Sequence, residues 1–87
     1  MKRYVMLKDK EIVDTKDMES YIATDISKES DNLIDLLEVG DCMEDLNGSI
    51  RNIMPNDNIE WIKTLTNEGW FKAIWKRNGD VMRRYVI

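Results

Sequence analysis

The chain has 87 residues, 43% hydrophobic and 34% charged, with three tryptophans and a formal net charge of −4. This length makes one domain, 1–87, with a core large enough to fold independently, and the apolar fraction excludes a disordered chain. No run of roughly eighteen apolar residues exists, which excludes a membrane-spanning helix, and Met1–Asp9 lacks the apolar stretch and small-residue cleavage site of a signal peptide, which predicts a cytoplasmic location.

Arg3 to Lys8, rich in Tyr, Val, Met and Leu, predicts a first strand. The polar Asp9-Lys10 turn leads to a partner strand at Glu11–Thr15, and Ser20–Thr24, extending toward Ile26, reads as a third. Ser30 fits the cap of a short helical segment near 30–38. Leu33, Ile34, Leu36 and Leu37 are its buried stripe and Gly40 its end, with an extended Leu36–Val39 as the competing reading. From Asp41 a strand should run out, turn at Asn47-Gly48 and return from Ser49 to Met54. A two-residue type I′ turn sets Glu44 opposite Arg51. Ile50 and Ile53 have opposite parity, which predicts a bulge or a longer loop.

Ile59–Thr66, β-branched and aromatic, predicts another strand, and Asn67-Glu68-Gly69 a turn. Trp70–Arg77 and Asp80–Ile87 flank Asn78-Gly79 as a final hairpin. With Asn78-Gly79 as its loop, one face carries Phe71, Ala73, Trp75, Met82 and Val86 and is predicted to pack inward. The other carries Trp70, Lys72, Ile74, Lys76, Arg83 and Tyr85 and is predicted to be partly exposed, with Lys72, Tyr85 and Trp70 placed for cation–π contact. Six to seven short strands with one helical turn predict a mainly antiparallel β fold. A small SH3-like barrel is its expected form, because closure removes exposed edges.

Histidine is absent. That removes the commonest general base, the Ser-His and Cys-His nucleophile pairs and histidine-containing zinc sites. Cys42 is the only cysteine, so the chain holds no internal disulfide, and it reads as a packing residue rather than a nucleophile. Asp41, Glu44 and Asp45 form the densest carboxylate cluster, but three acids in five residues of one strand do not converge on a cation, so they read as a solvated turn. No catalytic residue, metal or cofactor is expected. Charge is unevenly spread: residues 1–60 carry 7 Lys+Arg against 15 Asp+Glu, and residues 61–87 carry 6 against 2. Complementary segments pairing within one small domain are the favoured reading of this asymmetry, and separate acidic and basic surfaces, which would suit a charged partner, are the alternative.

The run Asp31-Asn-Leu-Ile-Asp-Leu-Leu-Glu-Val-Gly-Asp41, followed by Asn47-Gly48 and by Ile50 and Ile53, resembles a group of small uncharacterised phage and prophage proteins of Gram-positive bacteria. These carry a Leu-Ile-Glu-Val-Gly-Asp core leading into an Asn-Gly turn. The resemblance covers roughly residues 30–53, and the chain departs from it at Cys42–Leu46, where such proteins are shorter and more aromatic. It implies a phage-encoded protein acting in a host bacterial cytoplasm and says nothing of activity, so the expectation of a non-enzymatic protein rests on the missing histidine. Together with the net charge it favours a protein-binding inhibitor of a host defence system, of anti-CRISPR type. Asp31, Asp35, Glu38, Asp41, Glu44 and Asp45 would form the acidic partner-binding face, occupying a basic nucleic-acid channel of a host protein. Two alternatives are a nucleic-acid-binding module using Trp70, Lys72, Lys76, Arg83 and Tyr85, whose mix of bases and aromatics suits backbone phosphates and stacked bases, and a phage structural or assembly protein.

Overall fold

The structure, a computed structural model, describes residues 2–17 and 25–87. Its N-terminal sheet centres on β1 (Tyr4–Leu7), which pairs antiparallel with β2 (Ile12–Asp14) on one side and β3 (Ile26–Ser30) on the other. β1 and β2 sit inside the predicted Arg3–Lys8 and Glu11–Thr15. The strand expected at Ser20–Thr24 lies outside the described residues. β3 instead reaches Ser30, whose hydroxyl accepts from the Asn32 amide and donates to Asp35 at 2.7 Å. Asn32 rather than Ser30 therefore caps the helical segment, a single 3₁₀ turn at Leu33–Leu36, by accepting from the Ile34 amide. Leu33, Ile34, Leu36 and Leu37 are all buried, as their spacing predicts.

The second sheet has the order β5-β4-β6-β7, from β4 (Cys42–Asp45), β5 (Ile50–Asn52), β6 (Phe71–Asn78) and β7 (Val81–Val86). The fold is thus mainly β, with seven strands in two antiparallel sheets among the described residues and one α-helix. No ladder among those residues closes the two sheets into a complete barrel. Met6 and Ile12 of the first sheet, Ile34 and the 3₁₀ leucines, Met43 and Ile74 of the second sheet, Ile53 just beyond β5, and Ile62 form one shared core. Each large side chain there contributes about 1.5–3 kcal/mol on burial.

Ile59–Asn67 is not a strand but the helix α1. The Asn58 carboxamide accepts from the Trp61 amide at 3.1 Å, supplying a cap that outweighs the β-propensity of Ile59, Ile62 and the threonines. Ile62 and Thr66, four residues apart, face the interior, and the Thr66 hydroxyl folds back onto the Ile62 carbonyl at 2.8 Å.

Both hairpins take different registers from those expected. In β4–β5, Glu44 lies opposite Ile50, and Arg51 opposite Met43. Asp45 accepts the amides of Asn47 and Ser49, and Gly48 adopts φ 86, so the loop is longer than two residues, while Ile50 and Ile53 take opposite faces, the first exposed and the second buried. In β6–β7 the loop is Gly79-Asp80, with Gly79 (φ 60) first, as a type II′ turn requires. The register moves by two residues, so each strand keeps its two faces, but their roles are reversed. The face with Ile74 and Lys76 is the inner one, and Tyr85 packs on the core from it. Trp75, expected inside, is half-buried on the outer face, where its indole N–H finds Glu44. The anticipated stacking of Lys72 on Tyr85 is replaced by a Lys72–Glu44 ion pair, and Tyr85 lies opposite Ile74.

Candidate protein-binding site

Lys76 carries the largest consequence of that reversal. It is 1% exposed, and its ammonium donates to the Leu36 carbonyl at 2.7 Å, to Glu38 Oε1 at 3.1 Å and to Asp41 Oδ2. All three ammonium protons have acceptors, the condition under which a buried lysine is tolerated. Asp41, 3% exposed, also accepts the amides of Glu38 and Arg77. Glu38 reaches outward to Lys10 at 2.9 Å, and although burial acts to raise its pKa, Lys10 and Lys76 together hold it below the usual carboxylate range.

Glu44 is the corresponding hub on the outer face. Arg84 grips it with two bonds of 2.9 and 3.1 Å, Trp75 donates at 2.9 Å, and Lys72 lies 3.4 Å away. The Arg84 bonds and then the Trp75 bond lower its pKa to about 2. Asp35 takes the Ser30 hydroxyl and Lys63, and Asp31 takes the Arg3 amide and Lys2, which lowers both pKa values.

Of the six acids expected on one partner-binding face, Asp41 and Glu44 are therefore buried rather than part of a solvated turn. Asp31, Asp35 and Glu38 are matched by cations of the same chain, and Asp45 caps a loop. The basic face disperses similarly. Lys76 is buried, Lys72 serves Glu44, Arg83 donates to the Asp9 carbonyl at 2.9 Å, and the Tyr85 hydroxyl accepts from the Ile12 amide at 2.8 Å. Of that set, Trp70 alone remains largely exposed, at 59%.

Trp70 owes its position to the end of α1. Gly69, at φ 91, donates to the Thr66 carbonyl, and Trp70 donates to the Leu65 carbonyl at 3.1 Å. This is the bond pattern of a Schellman ending, which brings the residue after the glycine against the last turn of the helix. Leu65 and Trp70 thus become one wall of a groove of about 390 Å³, completed by Phe71, Ile50, Ser49, Arg51 and Asp45. Ile50 is 52% exposed, and Leu46 in the adjoining loop 62%. Trp61, 58% exposed, lies four residues before Leu65 on α1 and so shares its side of the helix. Exposed tryptophans and aliphatics gathered around an apolar concavity are characteristic of protein interaction sites.

Sequence reasoning missed Leu65, Phe71 and Ile50 as site residues, placing Ile50 in a hairpin and in the phage-like run alone. Asn58 and Gly69, which bracket α1 as cap and terminator, were the available signal. A second cavity of about 290 Å³ lies between the sheets beside Arg3, Asp14, Arg84 and Tyr85, but Arg3 is paired with Asp14 and Arg84 with Glu44. Cys42 is buried and its thiol donates to Asn52 Oδ1. Among the described residues no helix is long and apolar enough to cross a membrane. Comparison of the chain with protein-family models, with curated proteins and with solved structures finds no match.

Proposed function

We propose that this chain is a non-enzymatic protein-binding module that engages its partner through the groove lined by Ile50, Leu65, Trp70 and Phe71. The observation that carries this reading is the exposure of Trp70 and Ile50 beside an apolar concavity. Tryptophan is a frequent anchor of protein interfaces because it buries a large area at little entropic cost. The absence of histidine and the burial of Cys42 add support for binding rather than catalysis.

In the setting implied by the phage resemblance, the partner is a host protein of the bacterial cytoplasm, and the module acts as an inhibitor of a host defence system. The block is then chiefly steric. An acidic imitation of nucleic acid is less well supported, because own-chain cations already engage Asp31, Asp35, Glu38, Asp41 and Glu44. Binding of nucleic acid by the C-terminal hairpin is disfavoured on the same ground, since Lys76 is buried and Lys72 and Arg83 have acidic or carbonyl partners.

Affinity capture of the tagged chain from a host lysate, with and without nuclease, tests the reading. One stoichiometric, nuclease-resistant protein is the expected result. Capture that disappears with nuclease would replace it with nucleic-acid binding, and co-purification with virion proteins would point to an assembly role.

A further inference from the structure

The groove borders an open sheet edge. β5 is the outer strand of its sheet, and its ladder bonds run through alternate residues. Asp45 donates to the Ser49 carbonyl, Ile53 donates to the Asp41 carbonyl, and Arg51 pairs with Met43 between them. Antiparallel alternation then turns the backbone N–H and C=O of Ile50 and Asn52 away from β4. None of these four groups makes a backbone bond outside the ladders among the described residues. Such an edge is a template for another strand.

Asp45 and Arg51 are the charged residues that line the groove. Arg51 is engaged by Asp57 at 3.6 Å. Asp45 lines the groove and Glu68 stands in the turn that carries Trp70, and neither has a cationic partner among the described residues. Among the symmetric registers open to a second copy of this chain, the one that exchanges bonds between Ile50 and Asn52 sets Arg51 directly opposite its own equivalent, a like-charge pair.

We propose that β5 accepts an extended segment of a partner protein as a fifth strand of the sheet. One apolar side chain of that segment enters the groove against Leu65, Trp70 and Phe71, and an adjacent lysine or arginine meets Asp45 and Glu68. Main-chain bonds supply the affinity of such strand addition, and the pocket and rim charges supply its selectivity. This inference rests on the protein-binding reading above and adds the conformation and charge of what is bound.

The test pans a phage-displayed random dodecapeptide library against the full chain and titrates a synthesised selected peptide into ¹⁵N-labelled protein. Enriched peptides should combine β-branched residues with a basic residue next to an apolar one, and binding should slow amide exchange at Ile50 and Asn52 at least about tenfold. Ile50→Pro removes an outward N–H without touching the inner ladder and should weaken binding at least about tenfold. Asp45→Asn with Glu68→Gln should weaken it less and flatten its salt dependence.

The absence of any enriched peptide overturns the proposal, as does unchanged amide exchange at Ile50 and Asn52 in the wild-type complex, a readout that needs no variant to fold. If Trp70→Ala abolishes peptide binding while that exchange is unaffected, the groove stands as a binding site and strand addition fails. If Trp70→Ala binds as wild type, both fail. Self-association in light scattering that Ile50→Pro abolishes would replace the partner strand with a second copy.

Discussion

Replacing Lys76 by methionine tests how the interior of this domain is held. The stem of Lys76 is already enclosed, so methionine fills most of its volume and the perturbation is electrostatic. What remains is Asp41, 3% exposed, deprived of its only cation among the described residues, along with a Leu36 carbonyl that loses its ammonium donor. The amides of Glu38 and Arg77 still bond Asp41, but dipoles compensate a buried charge only in part. Removing one partner of a buried pair costs about 3–5 kcal/mol. A small domain has about 5–15 kcal/mol in all, so Lys76→Met should lose a large share of its stability. Urea unfolding followed by far-ultraviolet circular dichroism measures this loss. Lys72→Met is the control: Lys72 is partly exposed and Glu44 keeps Arg84 and Trp75, so stability should change by less than about 1 kcal/mol. Adding Asp41→Asn to Lys76→Met removes the orphaned charge and should recover at least roughly half of the loss. A Lys76→Met protein within about 1 kcal/mol of wild type would refute the reasoning.

Glu44 has its pKa lowered from 4.5 to about 2 by Arg84 and Trp75, so its contribution to stability is complete above pH 4.5 and is lost as the pH falls toward 2. Glu44→Gln should therefore be less stable at neutral pH and show a shallower loss of stability across that window, measured by urea midpoints at successive pH values. An unchanged slope would refute the assignment. Asn58→Ala removes the cap of α1 and should cost about 1 kcal/mol in thermal or chemical unfolding. Tyr85→Phe leaves the Ile12 amide without its acceptor, across the junction of the two sheets, and should cost about 1–3 kcal/mol by the same assays.

Much of the architecture was legible because it follows from local rules. The apolar spacing of Leu33, Ile34, Leu36 and Leu37 marks a short turn with a buried face, and the Asn-Gly pairs mark two hairpins. Ile59–Thr66 misleads because its β-branched residues outweigh, in a propensity reading, a cap formed by the single side chain of Asn58. The inward face of β6 was illegible for a different reason. Both faces mix apolar and basic residues, and what decides between them is the convergence of Leu36, Glu38 and Asp41 on Lys76 from 35 to 40 residues away in sequence. The candidate site inherits that difficulty. The charge asymmetry of the sequence was open to two readings, separate surfaces or pairing within the domain, and folding takes the second for most of the acids and bases, leaving Trp70 and Ile50 exposed at the groove. Leu65 meets Trp70 only because the helix ends at Gly69.

The most direct test of the groove as the binding surface is capture from nuclease-treated host lysate by three tagged proteins, wild type, Trp70→Ala and Asp31→Asn/Asp35→Asn, quantified by mass spectrometry. Trp70 is 59% exposed, so its truncation should leave the fold intact. The expected result is a stoichiometric partner that Trp70→Ala loses and the acid-neutralised variant keeps. A partner retained by Trp70→Ala and lost on neutralising Asp31 and Asp35 would contradict it and return the binding surface to the acids.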